Sequence, residues 1–208
     1  RRSQRSKTTK KIVVYNIMNK IGNGIKLRQK PNDVIFTPKP VAELMIKMCN
    51  IQPNDKVLDP SKGGGVFFNN FPECDKSYCE ITEDIDFFDA SGKYDLIVGN
   101  PPYSLWNKWL DKTMELTDKF CYIFGIMNFT HKRMARILDK GYVMTHYHLL
   151  KIGYWFSHSV IVIFEKKPAN TYMTKFTVSA GEFNCDVCGK RCGRGQKNKS
   201  FNKCYAKK

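Results

Sequence analysis

The chain of 208 residues contains no apolar run that approaches the length of a membrane helix, for which about 20 consecutive residues are needed. Its first ten residues, R-R-S-Q-R-S-K-T-T-K, hold no apolar side chain. No apolar region follows this basic start, so a secretory signal is not expected. Acid is missing from residues 1–30, which carry ten Lys or Arg. Histidine is sparse, and His131, His146, His148 and His158 show no metal-ligand spacing. Membrane insertion and secretion are thus set aside, and the expected setting is cytoplasmic. There the eight cysteines are expected as thiols or metal ligands rather than disulfides.

What is present is a strong basic excess, net +16, confined to the two ends. Residues 1–30 contribute ten positive charges, and residues 181–208 hold eight basic residues against two acids. Residues 31–180 carry 17 charges of each sign. A neutral centre with basic flanks predicts a nucleic-acid binder whose ends hold phosphate, the bland alternative being solvated tails. The predicted division is a basic arm at 1–30, a catalytic domain at 31–180 and a basic Cys-rich tail at 181–208. In that tail Cys185, Cys188, Cys192 and Cys204 stand among few apolar residues. Four thiolates would hold zinc and fold the segment; otherwise it is a tail with redox-sensitive thiols.

The chain is organised around Asp95-Leu96-Ile97-Val98-Gly99-Asn100-Pro101-Pro102-Tyr103. Leu96, Ile97 and Val98 form a short apolar run that suits a strand buried on both faces. Pro101 and Pro102 cannot donate ladder hydrogen bonds, so pairing stops there in a stiff loop. Open α/β sheets bind ligands at such carboxyl ends of strands. The loop can present the Asn100 side chain and the Pro101 carbonyl as two fixed acceptors, with Tyr103 beside them.

Upstream, Lys56 to Asp59 predicts a strand, and Gly63, Gly64 and Gly65 are expected to open the next helix, letting backbone approach a ligand closely. Ser77 to Glu80 predicts a second strand ending in an acid that can accept both ribose hydroxyls of a nucleoside cofactor. Before these, Val41, Leu44, Met45 and Met48 fall at helical spacing, with Thr37 as the expected cap and Pro38 in the first turn. A helix start of that kind suits a carboxylate. Further strands are predicted at 120–126, 143–152, 159–164 and 175–179, and helices at 104–117 and 128–140.

These motifs resemble those of the S-adenosylmethionine (SAM)-dependent DNA adenine-N6 methyltransferases. N-P-P-Y resembles their catalytic motif, here Asn100, Pro101, Pro102 and Tyr103. Asp59, Pro60, Gly63, Gly65 and Phe67 match the D-P-x-x-G-x-G-x-F loop that holds SAM; Lys62 is unusual within it, and its side chain is expected to point away or meet DNA. Phe36-Thr37-Pro38 resembles the F-x-P element that meets the methionine part of SAM. Asp86-Phe87-Phe88 resembles the D-F-L element whose Asp accepts from the adenine amino group, Asp89 being the alternative. The order F-x-P, SAM loop, N-P-P-Y is similar to the gamma class, in its short phage-type versions, over about residues 35–165.

The resemblance implies a Rossmann-like α/β fold: a mainly parallel seven-stranded sheet with helices on both faces and one antiparallel strand in the final hairpin. It implies methyl transfer from SAM to adenine N6 in double-stranded DNA, with Tyr103 and Trp155 or Phe156 sandwiching the flipped base, in a bacterial or phage-infected cell. Cytosine N4 is the nearest competing target. Relatives that read a specific sequence usually add a large target-recognition domain, which is not expected here, since about 40 residues follow the last core strand and no long insertion follows N-P-P-Y. Specificity is therefore expected to be low, short, or supplied by the basic ends, the cysteine cluster or a second chain. Restriction, regulation and self-protection of phage DNA are equally compatible. The alternatives are an RNA or protein-glutamine methyltransferase, and a non-catalytic DNA-binding module of the same fold.

Overall fold

The apolar runs of the sequence become strands because each is covered on both faces. A computed structural model describes residues 35–153, 155, 157–168 and 175–184. All of these but Ile35 lie in one compact unit, Phe36–Lys208. The elements in order are α1 (Lys39–Cys49), β1 (Lys56–Asp59), β2 (Asp75–Tyr78), β3 (Leu96–Gly99), α2 (Trp106–Leu116), β4 (Lys119–Gly125), α3 (His131–Asp139), β5 (Tyr142–Ile152), β6 (His158–Lys166) and β7 (Lys175–Phe183). They form one seven-stranded sheet in the order β2-β1-β3-β4-β6-β5-β7. β1 runs parallel to β2 and β3, β3 to β4, and β5 to β7. β6 is antiparallel to both β4 and β5, and is the single reversed strand among those described.

The pleat of β4 sorts the core into two layers. Phe120, Tyr122 and Phe124 face α2 and α3, meeting Trp106, Trp109, Leu110 and Ile137. Aromatic contacts fasten this layer: Trp106 lies 4.7 Å from Phe124, Phe120 5.1 Å from Phe164, and Phe87 4.4 Å from Trp109, measured between ring centroids. Each ring buries roughly 150–250 Å², so the layer supplies a large share of the apolar burial. Cys121 points the other way, where it meets Cys49 at the end of α1. Lys119 reinforces that side by donating to the Cys49 carbonyl at 3.1 Å. Helices therefore cover both faces.

Several local expectations change. Thr37 does not cap α1: the N-cap is Pro38, with extended backbone and no side-chain cap bond. The Pro38 carbonyl already accepts from the amides of Val41 and Ala42, at 2.9 and 3.1 Å, which makes it the residue half inside the helix. Thr37 is instead buried. Among the described residues no α-helix lies between the glycines and β2. The chain passes from β1 to β2 through one 3-10 turn, Phe68–Asn70, anchored by buried Phe67 and Phe71. β2 starts and ends two residues earlier than expected, so Glu80 lies beyond it, in an isolated bridge with Ile85. α2 and α3 are each preceded by a 3-10 turn, Tyr103–Leu105 and Ile126–Asn128, that takes residues expected in the helices. β7 runs on past 179 to Phe183.

Candidate active site

From β1 the chain moves outward to β2 on one side, while β3 pairs on the other. The carboxyl ends of β1 and β3 therefore flank the crevice where open α/β sheets take ligands. Asp59 ends β1 and Gly99 ends β3. The two loops that leave them touch. The Ser61 hydroxyl donates to the Asn100 main-chain carbonyl at 3.3 Å. Gly99 lies so close to the first loop that a Cβ there would stand 3.0 Å from the Pro60 Cδ and 3.6 Å from an Asp59 carboxylate oxygen.

Asp59 is fully buried. Burial pushes its carboxyl up to about 7, although the amides of Ser61 and Phe68 donate to its two oxygens at 3.2 and 3.3 Å and pull the other way. It thus ties both ends of the glycine loop to β1. Gly63 and Gly65 have φ of +50° and +76°, the left-handed region that side chains avoid. Space is short as well at Gly65, where a Cβ would lie 2.6 Å from the Asn69 amide nitrogen. Phe36 lies over this loop, its ring within 3.4 Å of where a Gly64 Cβ would be.

Glu80 is bound into the same loop. Its Oε2 accepts from the Gly63 amide at 2.7 Å, and its Oε1 accepts from the Thr82 amide at 3.1 Å and hydroxyl at 2.7 Å. Desolvation raises its affinity for a proton, but these bonds outweigh it and hold the carboxyl below its ordinary value. Of about four acceptor positions on a carboxylate, one on Oε2 is left among the described residues. Asp86 caps the turn Phe87–Asp89 by accepting from the Phe88 amide at 2.9 Å through one oxygen. Phe87 is a core residue stacked on Trp109. The Lys62 ammonium is engaged by Glu83 at 2.8 Å and lies 3.9 Å over the Tyr78 ring.

On the β3 side, Asn100 is partly exposed while its side-chain oxygen is buried. Pro101 is buried, and Pro102 is extended and leads into the turn that begins at Tyr103. The Tyr103 ring meets Trp106 edge-on at 6.3 Å. Trp155 is buried, 8% exposed, in the loop between β5 and β6. Lys151 ties that loop by donating to the carbonyls of Trp155 and Ser157, both at 3.1 Å.

The residues present fit a nucleoside-bearing cofactor. Glu80 is bound to the glycine loop and keeps one acceptor position among the described residues. The buried Thr37 hydroxyl has no hydrogen-bond partner among the described residues. Phe156, Cys185, Cys188, Cys192 and Cys204 lie outside the described residues. Among those described, no three His, Cys, Asp or Glu side chains cluster as for a metal, and no helix is long and apolar enough to cross a membrane. Sequence reasoning did not single out Ser61 or Thr82; both are small hydroxyl residues whose roles come from hydrogen bonds that spacing does not announce.

No protein-family model matches the chain. Among curated proteins it is similar to the type II methyltransferase M.HincII of Haemophilus influenzae. The two are 35% identical over an 86-residue alignment that covers 34% of this chain and 17% of that protein. The type II methyltransferase M.HindII of Haemophilus influenzae is 35% identical over 86 residues, with 34% of this chain and 16% of that protein covered. The chain thus spans less than a fifth of the length of the curated relatives it matches. Among solved structures it is similar to a Listeria monocytogenes protein described as a candidate class I SAM-dependent methyltransferase, with a TM-score of 0.54, 10% identity, and 78% of this chain and 68% of that one covered. It is also similar to the 23S rRNA methyltransferase ErmE, with a TM-score of 0.52 and 12% identity, covering 66% of this chain and 72% of that one. The sheet, its single reversed strand and these likenesses establish the Rossmann-like fold of the SAM-dependent methyltransferases.

Proposed function

We propose that this chain transfers a methyl group from SAM to the exocyclic N6 of adenine in DNA. The observation that carries the reading is the seam between the two loops, where the Ser61 hydroxyl meets the Asn100 carbonyl and Gly99 abuts Pro60. It brings the glycine loop and the N-P-P-Y corner side by side, which supports a reading in which two bound molecules exchange a group.

SAM, when bound, supplies a methyl carbon on a sulfonium that is itself a good leaving group. Asp59, Pro60, Gly63, Gly65 and Phe67 would hold it, with Thr37 and Pro38 meeting its methionine part. Glu80 accepts from the ribose; both hydroxyls can be accepted only if a Thr82 contact opens. Asp86 keeps one oxygen for an adenine amino group.

Adenine N6 is a poor nucleophile because its lone pair is delocalised into the ring. The Asn100 side-chain oxygen and the Pro101 carbonyl accept its two hydrogens and favour a pyramidal nitrogen. No strong general base is needed first, since the nitrogen becomes acidic once methylated. Reaching the base in a duplex requires flipping it out of the stack, with Tyr103 and Trp155 or Phe156 as the stacking candidates. The basic ends supply phosphate affinity.

The test is Asn100→Ala. Methyl transfer to DNA is expected to fall by about 10²–10³-fold, the scale of losing one aimed polar group, while calorimetric SAM affinity stays near wild type. Full activity in the variant would overturn the mechanism. Tritiated SAM offered in parallel to DNA, RNA and protein identifies the substrate, and label on RNA or protein alone would overturn the DNA assignment.

A further inference from the structure

Arg133, in the first turn of α3, is held firmly without being neutralised. Its Nη1 donates to the Asn128 main-chain and side-chain oxygens, both at 3.0 Å, and its Nε donates to the Asn107 side-chain oxygen at 3.3 Å. Its guanidinium carbon lies 5.9 Å from the centre of the Trp106 ring. A guanidinium has five N–H donors. Three are spent on these neutral oxygens, and the two on Nη2 have no partner among the described residues. No carboxylate lies within ion-pair reach of Arg133 among the described residues, although the side chain is partly buried.

One turn further along the same helix the opposite choice is made. Arg136 forms a two-pronged pair with Asp111, its Nε donating at 2.7 Å and its Nη2 to the second oxygen. Asn107 and Asp111 are themselves one turn apart on α2. The α2–α3 contact therefore repeats, once with an acid and once with an amide. The amide fixes the Arg133 fork in place and leaves its charge available. Partial burial already works against that charge, so the arrangement suits an anion that arrives from outside.

The location narrows which anion. Trp106, under the guanidinium, touches the Tyr103 ring edge-on. Asn128 closes the turn that leaves β4, the strand beside β3. Arg133 thus stands one ring away from the N-P-P-Y corner, on the same rim of the sheet. His131 and Lys132 are exposed beside it.

We propose that Arg133, braced by Asn107 and Asn128 over Trp106, is a preformed seat for one backbone phosphate of the nucleic acid whose base enters the N-P-P-Y corner. This rests on the methyltransferase reading above. The retained positive charge and the two donors left on Nη2 suit an anionic phosphodiester oxygen, which accepts a charge-assisted hydrogen bond. A phosphate fixed there sets the register of the strand without reading its sequence.

The test uses the full chain and a duplex oligodeoxynucleotide, with binding followed by fluorescence anisotropy across a salt series. Two variants are compared. Arg133→Gln removes the charge. Asn107→Asp keeps Arg133 but supplies the carboxylate that Arg136 already has, at an exposed position where folding is not at risk. Both are expected to weaken DNA binding by about tenfold, the scale of one charge-assisted contact. Both are also expected to flatten the slope of log K against log salt by about one. Calorimetric SAM affinity and Tm should hold in Asn107→Asp, and Arg133→Lys should restore the slope but not the full affinity. Wild-type affinity and slope in both variants of an active enzyme would remove the seat alone. Failure of the wild type to methylate or bind nucleic acid would instead remove the reading on which it rests.

Discussion

Replacing Gly99 with Ala tests the seam between the two loops more directly than any catalytic substitution. Gly99 is not among the residues with positive φ, so the backbone accepts alanine, and conformational entropy alone would favour it by about 0.4–1 kcal/mol. The opposing effect is steric. The new Cβ would meet the Pro60 ring at 3.0 and 3.3 Å, inside ordinary contact distance. That ring cannot swing away, because it is closed onto the backbone. Asp59, behind it, is bound by the amides of Ser61 and Phe68. Relief requires the loops to part by about 0.5 Å, and overpacking of this kind costs about 1–3 kcal/mol. The net expectation is a loss of about 1–2 kcal/mol, or roughly 3–6 °C in Tm for a unit of this size. A shift of 1 Å between reacting groups costs about 10²-fold, so half of that predicts a fall in kcat of about tenfold. Urea and thermal denaturation read the first effect, and methyl transfer at saturating SAM reads the second. Gly92→Ala is the control: its φ is +86° and a Cβ there meets nothing within 4 Å, so it should lose stability and keep its rate. A Gly99→Ala variant as stable as wild type, with kcat within about twofold, would refute the idea that this contact sets the alignment.

Asp59 makes a pH-dependent prediction. Its proton affinity is raised in the folded state, from 3.8 to about 7, so the folded protein holds the proton more tightly than the unfolded chain. Stability should therefore fall as pH rises from about 4 to about 7 and level off above, by about 4 kcal/mol at most. Asp59→Asn should flatten that slope in denaturant titrations at successive pH values. Trp109→Ala, which removes the ring stacked on Phe87, should cost about 3–5 kcal/mol by chemical denaturation. Lys62→Met should leave calorimetric SAM affinity unchanged, because the ammonium is turned toward Glu83 and Tyr78.

Much of the sheet was legible because its strands announce themselves. Leu96-Ile97-Val98 and the run from Phe120 to Phe124 are apolar at every position, as only doubly covered strands are, and Pro101-Pro102 marks where pairing must stop. The contact of the two loops was legible only as an expectation from motif order, since residues 61 and 100 meet through topology rather than spacing. The helix expected after the glycines failed for a local reason. Phe67 and Phe71 are both buried, and a loop fastened at those two points returns to β2 after one 3-10 turn. Thr37 failed as a cap because the carbonyl of the following proline had already started α1. Glu80 was placed at a strand end by pattern, yet its environment is set by Gly63 and Thr82. The Arg133 brace was invisible in one dimension: its partners lie 26 and 5 residues away in the chain.

The sheet order also bears on how the molecule is assembled during synthesis. β5 stands between β6 and β7, so the last strand cannot dock on its predecessor. Its landing edge is β5, which is ready only once the hairpin with β6 has closed. Every strand from β1 to β6 can therefore be in register before β7 leaves the ribosome. A truncation just before Lys175 would spare the crevice while removing the outer border of the sheet together with the basic tail that follows it.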